Sequence, residues 1–91
     1  MTVPLSTHAR VRMQQRGISP EALENVLELG HVSAAPGGRE VVFLQRAYRK
    51  ELVRLAKNIR ERDRLKRLYA VTDEHGNVVT LGHRYRRIAR I

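Results

Sequence analysis

Histidine and arginine are the residues through which this chain could do chemistry. The stretch HARVRMQQRGI at residues 8–18 sets His8, Arg12 and Arg16 four residues apart, a spacing that puts one imidazole and two guanidiniums in a single row on a helix. Near the other end, GHRYRR at residues 82–87 sets His83 beside a tyrosine and three arginines. Such a set suffices for RNA cleavage without a metal. A base takes the 2′-OH proton, an acid protonates the 5′-oxygen, and fixed positive charge steadies the phosphorane between them. Histidine is the natural acid and base near neutral pH, and arginine presents a forked donor to phosphate. His8 and His83 are the candidate catalytic pair, on condition that the first helix crosses the sheet near the last strand. Bland readings stand beside each role. His8 also suits a hydrogen-bonded imidazole ordering a helix start, and the row also suits arginines that lay their stems over a core and raise their tips to water.

Other chemistries are poorly supported. The only aspartates are Asp63 and Asp73, the glutamates are scattered, and no two histidines sit at ligand spacing, so no metal site is expected. There is no cysteine nucleophile or thiolate zinc site, and no serine has a triad context. Gly37-Gly38 lacks the surroundings of a phosphate loop. No cofactor is expected.

Charge narrows the partners. Eighteen Lys and Arg against nine Asp and Glu give the 91 residues a net charge of +9, which points to a polyanion: nucleic acid, an acidic protein or an anionic surface. Ten basic and three acidic residues fall within 46–67, and four arginines lie in the last nine residues. No apolar run is long enough to span a membrane, and the N-terminus lacks a signal-peptide pattern. The expectation is one soluble, cytoplasmic domain over residues 1–91.

The elements that must hold these groups follow from caps and periodicity. Ser6 or Thr7 begins a helix that Gly17 ends, with Ala9 and Met13 bordering the His8–Arg12–Arg16 row. Ser19 and Pro20 begin a second helix, with Ala22, Leu23, Val26 and Leu27 on its apolar face and Gly30 at its end. SAAPGG at 33–38 reads as a loop, and REVVFL at 39–44 as a strand apolar on both faces. Tyr48, Leu52, Leu55, Ala56 and Ile59 predict a basic helix over about 46–62, by the i, i+4, i+7 spacing. Strands near 66–72 and 78–85 then form a hairpin around Gly76. The predicted order is helix, helix, strand, helix, strand, strand, an α+β arrangement. His31 suits the end of the second helix and His75 a turn. Tyr85 suits base stacking or a core edge, and Thr80 a phosphate-facing hydroxyl or a plain strand former.

His8, Ala9, Arg12, Met13, Arg16, Gly17 and Ile18, followed at a distance by Val79 and Thr80, resemble a small uncharacterised bacterial domain family with the hallmark H-A-x-x-R-M-x-x-R-G-I. That family is similar to the barnase–RelE-like superfamily of metal-independent ribonucleases, many of them toxins. The resemblance implies two N-terminal helices packed on a small twisted antiparallel sheet, with the basic segment around 46–62 as an added helix. The middle, residues 45–65, looks longer and more helical than the family pattern. The resemblance further implies a nucleic-acid site beside the sheet, with His8, Arg12 and Arg16 as one wall and His83, Arg84, Arg86 and Arg87 as the other. Three functions fit: a toxin-type RNA-cleaving or RNA-binding protein with an acidic antitoxin-like partner, a non-catalytic nucleic-acid-binding module, and a basic adaptor for an acidic protein.

Overall fold

The computed structural model describes residues 4–45, 54 and 58–84. The first helix, α1, runs Thr7–Arg16, and the Ser6 hydroxyl caps it by accepting from the Ala9 N–H at 3.0 Å. Gly17 ends it at φ 63, a left-handed position that a side chain rarely adopts. The second helix, α2, runs Pro20–Leu29, with Ser19 accepting from the Ala22 N–H at 3.1 Å and proline in the first turn. Both helices begin and end where their cap residues place them.

Two strands follow, not one. β1 is His31–Ala35 and β2 is Arg39–Phe43. The expected loop at 33–38 is therefore half strand, and only residues 36–38 turn. Ser, Ala and Ala carry no strand propensity of their own. Their conformation comes from antiparallel pairing with β2, Ser33 opposite Val41 and Ala35 opposite Arg39. His31 opens β1 and meets Phe43 edge-on, ring centroids 5.5 Å apart; it does not cap α2. Val42 and Phe43, consecutive and both buried, bear out a strand with apolar side chains on both faces.

The third helix, α3, is Ile59–Arg67, capped by Asn58, whose Oδ1 accepts from the Glu61 N–H at 2.8 Å. Its first residues, 59–62, fall within the predicted 46–62, and it runs on to Arg67. Ile59, expected on an apolar face, is 75% exposed, and Leu65 is the residue α3 buries. Arg54, within the predicted span, is helical, and residues 46–53 and 55–57 lie outside the described residues. α3 passes directly into β3, Leu68–Thr72, and a turn with Gly76 at φ 81 leads to β4, Val78–His83. In that turn the Asp73 carboxylate accepts from the Asn77 and His75 N–H groups at 2.9 Å each, and the Asn77 bond chiefly holds its pKa below the ordinary value.

The described strands form one antiparallel sheet in the order β1-β2-β3-β4. Leu23 and Val26 of α2, Ala9 and Met13 of α1, and Val42, Ala70 and Leu81 of the sheet share the core between layers. The protein is thus α+β, with two N-terminal helices packed on an antiparallel sheet. One contact fixes how α1 lies. Leu5 bridges Val78 in parallel, the Ser6 N–H donates to the Val78 carbonyl at 2.9 Å, and the Ser6 hydroxyl donates to the Val79 carbonyl at 3.0 Å. α1 therefore starts at the beginning of β4 and packs along it in the same direction.

A candidate phosphate-binding cleft

That direction decides which candidates meet. His8 is exposed in the first turn of α1, beside the start of β4. His83 ends β4, opposite Leu68, and lies among the charges of Arg64, Arg16 and Arg67. Eight residues of helix separate His8 from Arg16, about 12 Å along the axis. The two imidazoles lie at opposite ends of α1, and the structure does not bring them together. His8 instead pairs with Arg12, whose Nε donates to its Nε2 at 3.5 Å.

The cations that do converge come from α1 and α3. The Arg64 Nη2 donates to the carbonyls of Arg16 and Gly17, at 2.9 Å each. A guanidinium thus satisfies the open carbonyls at the C-terminus of α1, where the helix dipole also favours positive charge. Arg67 pairs with Asp63 one turn earlier, at 3.5 Å on an exposed face. His83 is half-buried, and burial is the first cause of a pKa below its ordinary value. Repulsion from Arg64, Arg16 and Arg67, in that order, pushes the same way. Among the described groups, every charged neighbour that shifts His83 is cationic, so the site favours an anion.

Arg64 and His83 border a cleft of about 530 Å³ between the α1–α2 corner and α3. Ile18, Leu65 and Leu68 supply its apolar floor, Arg60 and Arg64 supply positive charge, and His83 stands beside them. Two carboxylates, Glu21 and Glu61, and the amides of Asn25 and Asn58 line it too. Among the described residues, no three His, Asp or Glu side chains could share a metal ion.

The remaining candidates have other places. Arg84 is directed inward. Its Nη2 donates to the carbonyls of Leu44 and Lys66 at 3.4 and 3.3 Å, its guanidinium lies 5.0 Å from the Phe43 ring centre, and its Nε is buried without a partner. Burial lowers its pKa. Arg84 therefore ties the end of β4 to the residue after β2 and to the last turn of α3. Arg84→Gln is expected to lower stability by about 1–2 kcal/mol through the lost ring contact and hydrogen bonds. Thermal unfolding checks this, and an unchanged midpoint would remove Arg84 from the framework. Thr80 pairs with Val71 on the sheet face opposite His83. Tyr85, Arg86 and Arg87 lie outside the described residues.

The sequence did carry a sign of the residues missed. Arg60, Arg64 and Arg67 sit at i, i+4 and i+7, the spacing that drew attention to His8, Arg12 and Arg16. The helix expected over 46–62 stops short of Arg64 and Arg67, which α3 carries.

Neither the curated proteins nor the solved structures compared with this chain include a match. A family model, described as Domain of unknown function (DUF4258), matches residues 5–81. That span takes in both N-terminal helices, α3 and all but the last two residues of β4, so the chain belongs to this uncharacterised domain family.

Proposed function

We propose that this chain binds RNA through backbone phosphate at the end of β4, where His83 lies among Arg16, Arg64 and Arg67. The observation carrying the proposal is that half-buried imidazole among three guanidiniums. Each cation raises the cost of protonating His83, and a phosphate placed among them reverses that cost. The +9 charge supports the same reading, and it also suits an acidic antitoxin-like protein competing for the surface. Helices over an antiparallel sheet are compatible with barnase–RelE-like ancestry and a toxin-type role in the cytoplasm. Fold alone does not carry activity.

The test has a definite sign. Phosphate raises the pKa of His83, so by linkage RNA affinity rises as pH falls from the raised pKa of the complex to the lowered pKa of the free protein, and levels off below it. NMR titration of the His83 ring, with and without single-stranded RNA, should show the upward shift. The pH dependence of affinity should shrink in His83→Gln. A ring that titrates identically in both states would reject the site.

Cleavage is the second reading, and one observation favours it: a histidine with a depressed pKa is neutral, and so available as a base, around pH 7. With His8 a helix length away, His83 would work with a different acid. Purified protein should then cleave RNA in the presence of EDTA, leave a 2′,3′-cyclic phosphate, spare DNA, and lose cleavage but not binding in His83→Gln. Binding with no cleavage at any pH would leave the RNA-binding reading alone.

A further inference from the structure

We propose that two copies of this chain pair edge to edge through β1, antiparallel across a two-fold axis at Ser33, so that their four-stranded sheets become one. The pairing rests on the open edge of the sheet and is independent of the RNA-binding reading above.

The two edges of the sheet differ. β4 is covered at its start by the Leu5 bridge and the Ser6 hydrogen bonds, and α1 packs along it. β1 is the other edge, and among the described strands it pairs only with β2. Edge strands are commonly guarded by a charged side chain, a proline or a bulge, which keep a further strand from adding on. β1 has none of these. Its sequence, HVSAA, contains no Lys, Arg, Asp or Glu, and Pro36 lies past its end. Its ladder with β2 runs from His31–Phe43 to Ala35–Arg39 without a shift in register. α2 packs on β2 and β3, which leaves Val32, opposite Val42, 47% exposed on the helix side of the sheet. Ala34, on the same face, is exposed as well.

A second copy fits this edge for reasons of symmetry, shape and charge. An antiparallel edge is complementary to itself, because a two-fold axis offers each N–H and C=O of one strand to its counterpart on the other. With the axis at Ser33, Val32 lies opposite the partner's Ala34 on the helix side, a larger side chain against a small one, and both are covered. On the other face Ser33 lies opposite the partner's Ser33. Ser33 is buried and its hydroxyl has no hydrogen-bond partner, and hydroxyls directly across two strands bond each other. A strand without charge offers no ion pair to an acidic or a basic peptide. A chain of net charge +9 is least repelled by its own kind where charge is locally low, and β1 is such a place. Arg39 and Glu40, opposite Ala35 and Ala34 on β2, have opposite signs. α2 carries Glu21, Glu24 and Glu28 and no basic residue. The arginines around His83 gather at β4, three strand spacings or about 14 Å away.

Five-residue strands make a small interface, so association should be weak, with a Kd of about 10–100 μM. Sedimentation velocity of the full chain over a range of concentrations measures it. Added salt should tighten the dimer by screening like charges, the opposite of its effect on RNA binding. Val32→Lys places a charge on the edge and should raise Kd at least tenfold. Val11→Lys is the matched control: Val11 is 46% exposed on α1, and the same added charge there should change Kd less than about twofold. Register has its own readout, since the chain contains no cysteine. With oxidised glutathione, a mixture of Val32→Cys chains and Ala34→Cys chains should form a disulfide-linked dimer roughly tenfold faster than either variant alone, because strand partners lie at disulfide distance. Should Val32→Lys fail to fold, Ala34→Lys and the cysteine mixture still decide. A chain that stays monomeric up to about 1 mM, a dimer that Val32→Lys leaves intact, or equal weakening by Val11→Lys would overturn the pairing. Cross-linking no faster in the mixture than in the single variants would overturn the axis at Ser33.

Discussion

Replacing Arg16 and Arg67 with glutamine should weaken binding of single-stranded RNA by at least an order of magnitude at low salt. It should also flatten the salt dependence by about 1.4 units of log K per log salt, close to 0.7 for each lost phosphate contact on a single strand. The two residues lie on different helices, and the end of β4 brings both to bear on His83. Neither carbon stem belongs to the core: both side chains are exposed, so the fold should survive the change. Arg64 is left in place because its Nη2 closes α1 through the Arg16 and Gly17 carbonyls. Arg39→Gln is the control, since it removes one like charge from the exposed start of β2. Equal losses from the double variant, per charge, and from the control would reduce binding to diffuse attraction by net charge. A slope that stays put would move the phosphates elsewhere on the surface.

Gly30→Ala should be among the most damaging single-methyl changes in the protein. The backbone there has φ −74 and ψ 154, which any residue can adopt, so the cost is one of space alone. A methyl group would come within 2.3 Å of the Val26 carbonyl oxygen, 2.6 Å of a Val42 side-chain carbon and 3.2 Å of the Phe43 carbonyl oxygen. Two of these are backbone atoms, which do not swing aside. The strain is relieved only by lifting the end of α2 from β2, which separates Val26 from Val42 in the core. Overpacking of this kind costs about 3 kcal/mol, or roughly 10–20 °C in Tm for a domain of this size. Thermal denaturation followed by circular dichroism measures it. A midpoint within a degree or two of wild type would mean that α2 and β2 are not so tightly joined.

How far the sequence was legible varies with the physics of each element. α1 and α2 are bounded by local chemistry: Ser6, Ser19, Pro20, Gly17 and Gly30 act on their own neighbours, and they could be read without the fold. The β3–β4 hairpin was legible for the same reason, with Gly76 in its turn. β1 was not, because Ser33, Ala34 and Ala35 take their conformation from a partner strand. The stretch of α3 beyond residue 62 was not legible, because a charged helix with one buried leucine gives almost no periodic signal. Arg16 and His83 could each be picked out, yet nothing local says that α1 runs alongside β4 in the same sense. That depends on Ser6 reaching Val78 and Val79, and it is what parts His83 from His8 and hands it to Arg64 and Arg67. Arg84 carries a related lesson: a charge that looks free in the sequence is held inward by the Leu44 and Lys66 carbonyls.

The bond from Ser6 to Val79 spans 73 positions and has a consequence for how the molecule is made. The first helix docks on the last described strand, so during synthesis α1 emerges long before its binding surface exists. Contacts so distant along the chain slow folding, because the intervening loop must close before they return any stability. Until β4 is in place, α1 has no partner for Ala9 and Met13, and the cleft lacks the wall that carries His83. Any affinity for RNA at the proposed site should therefore arise late and all at once, since a chain whose β4 has not yet emerged holds no complete site.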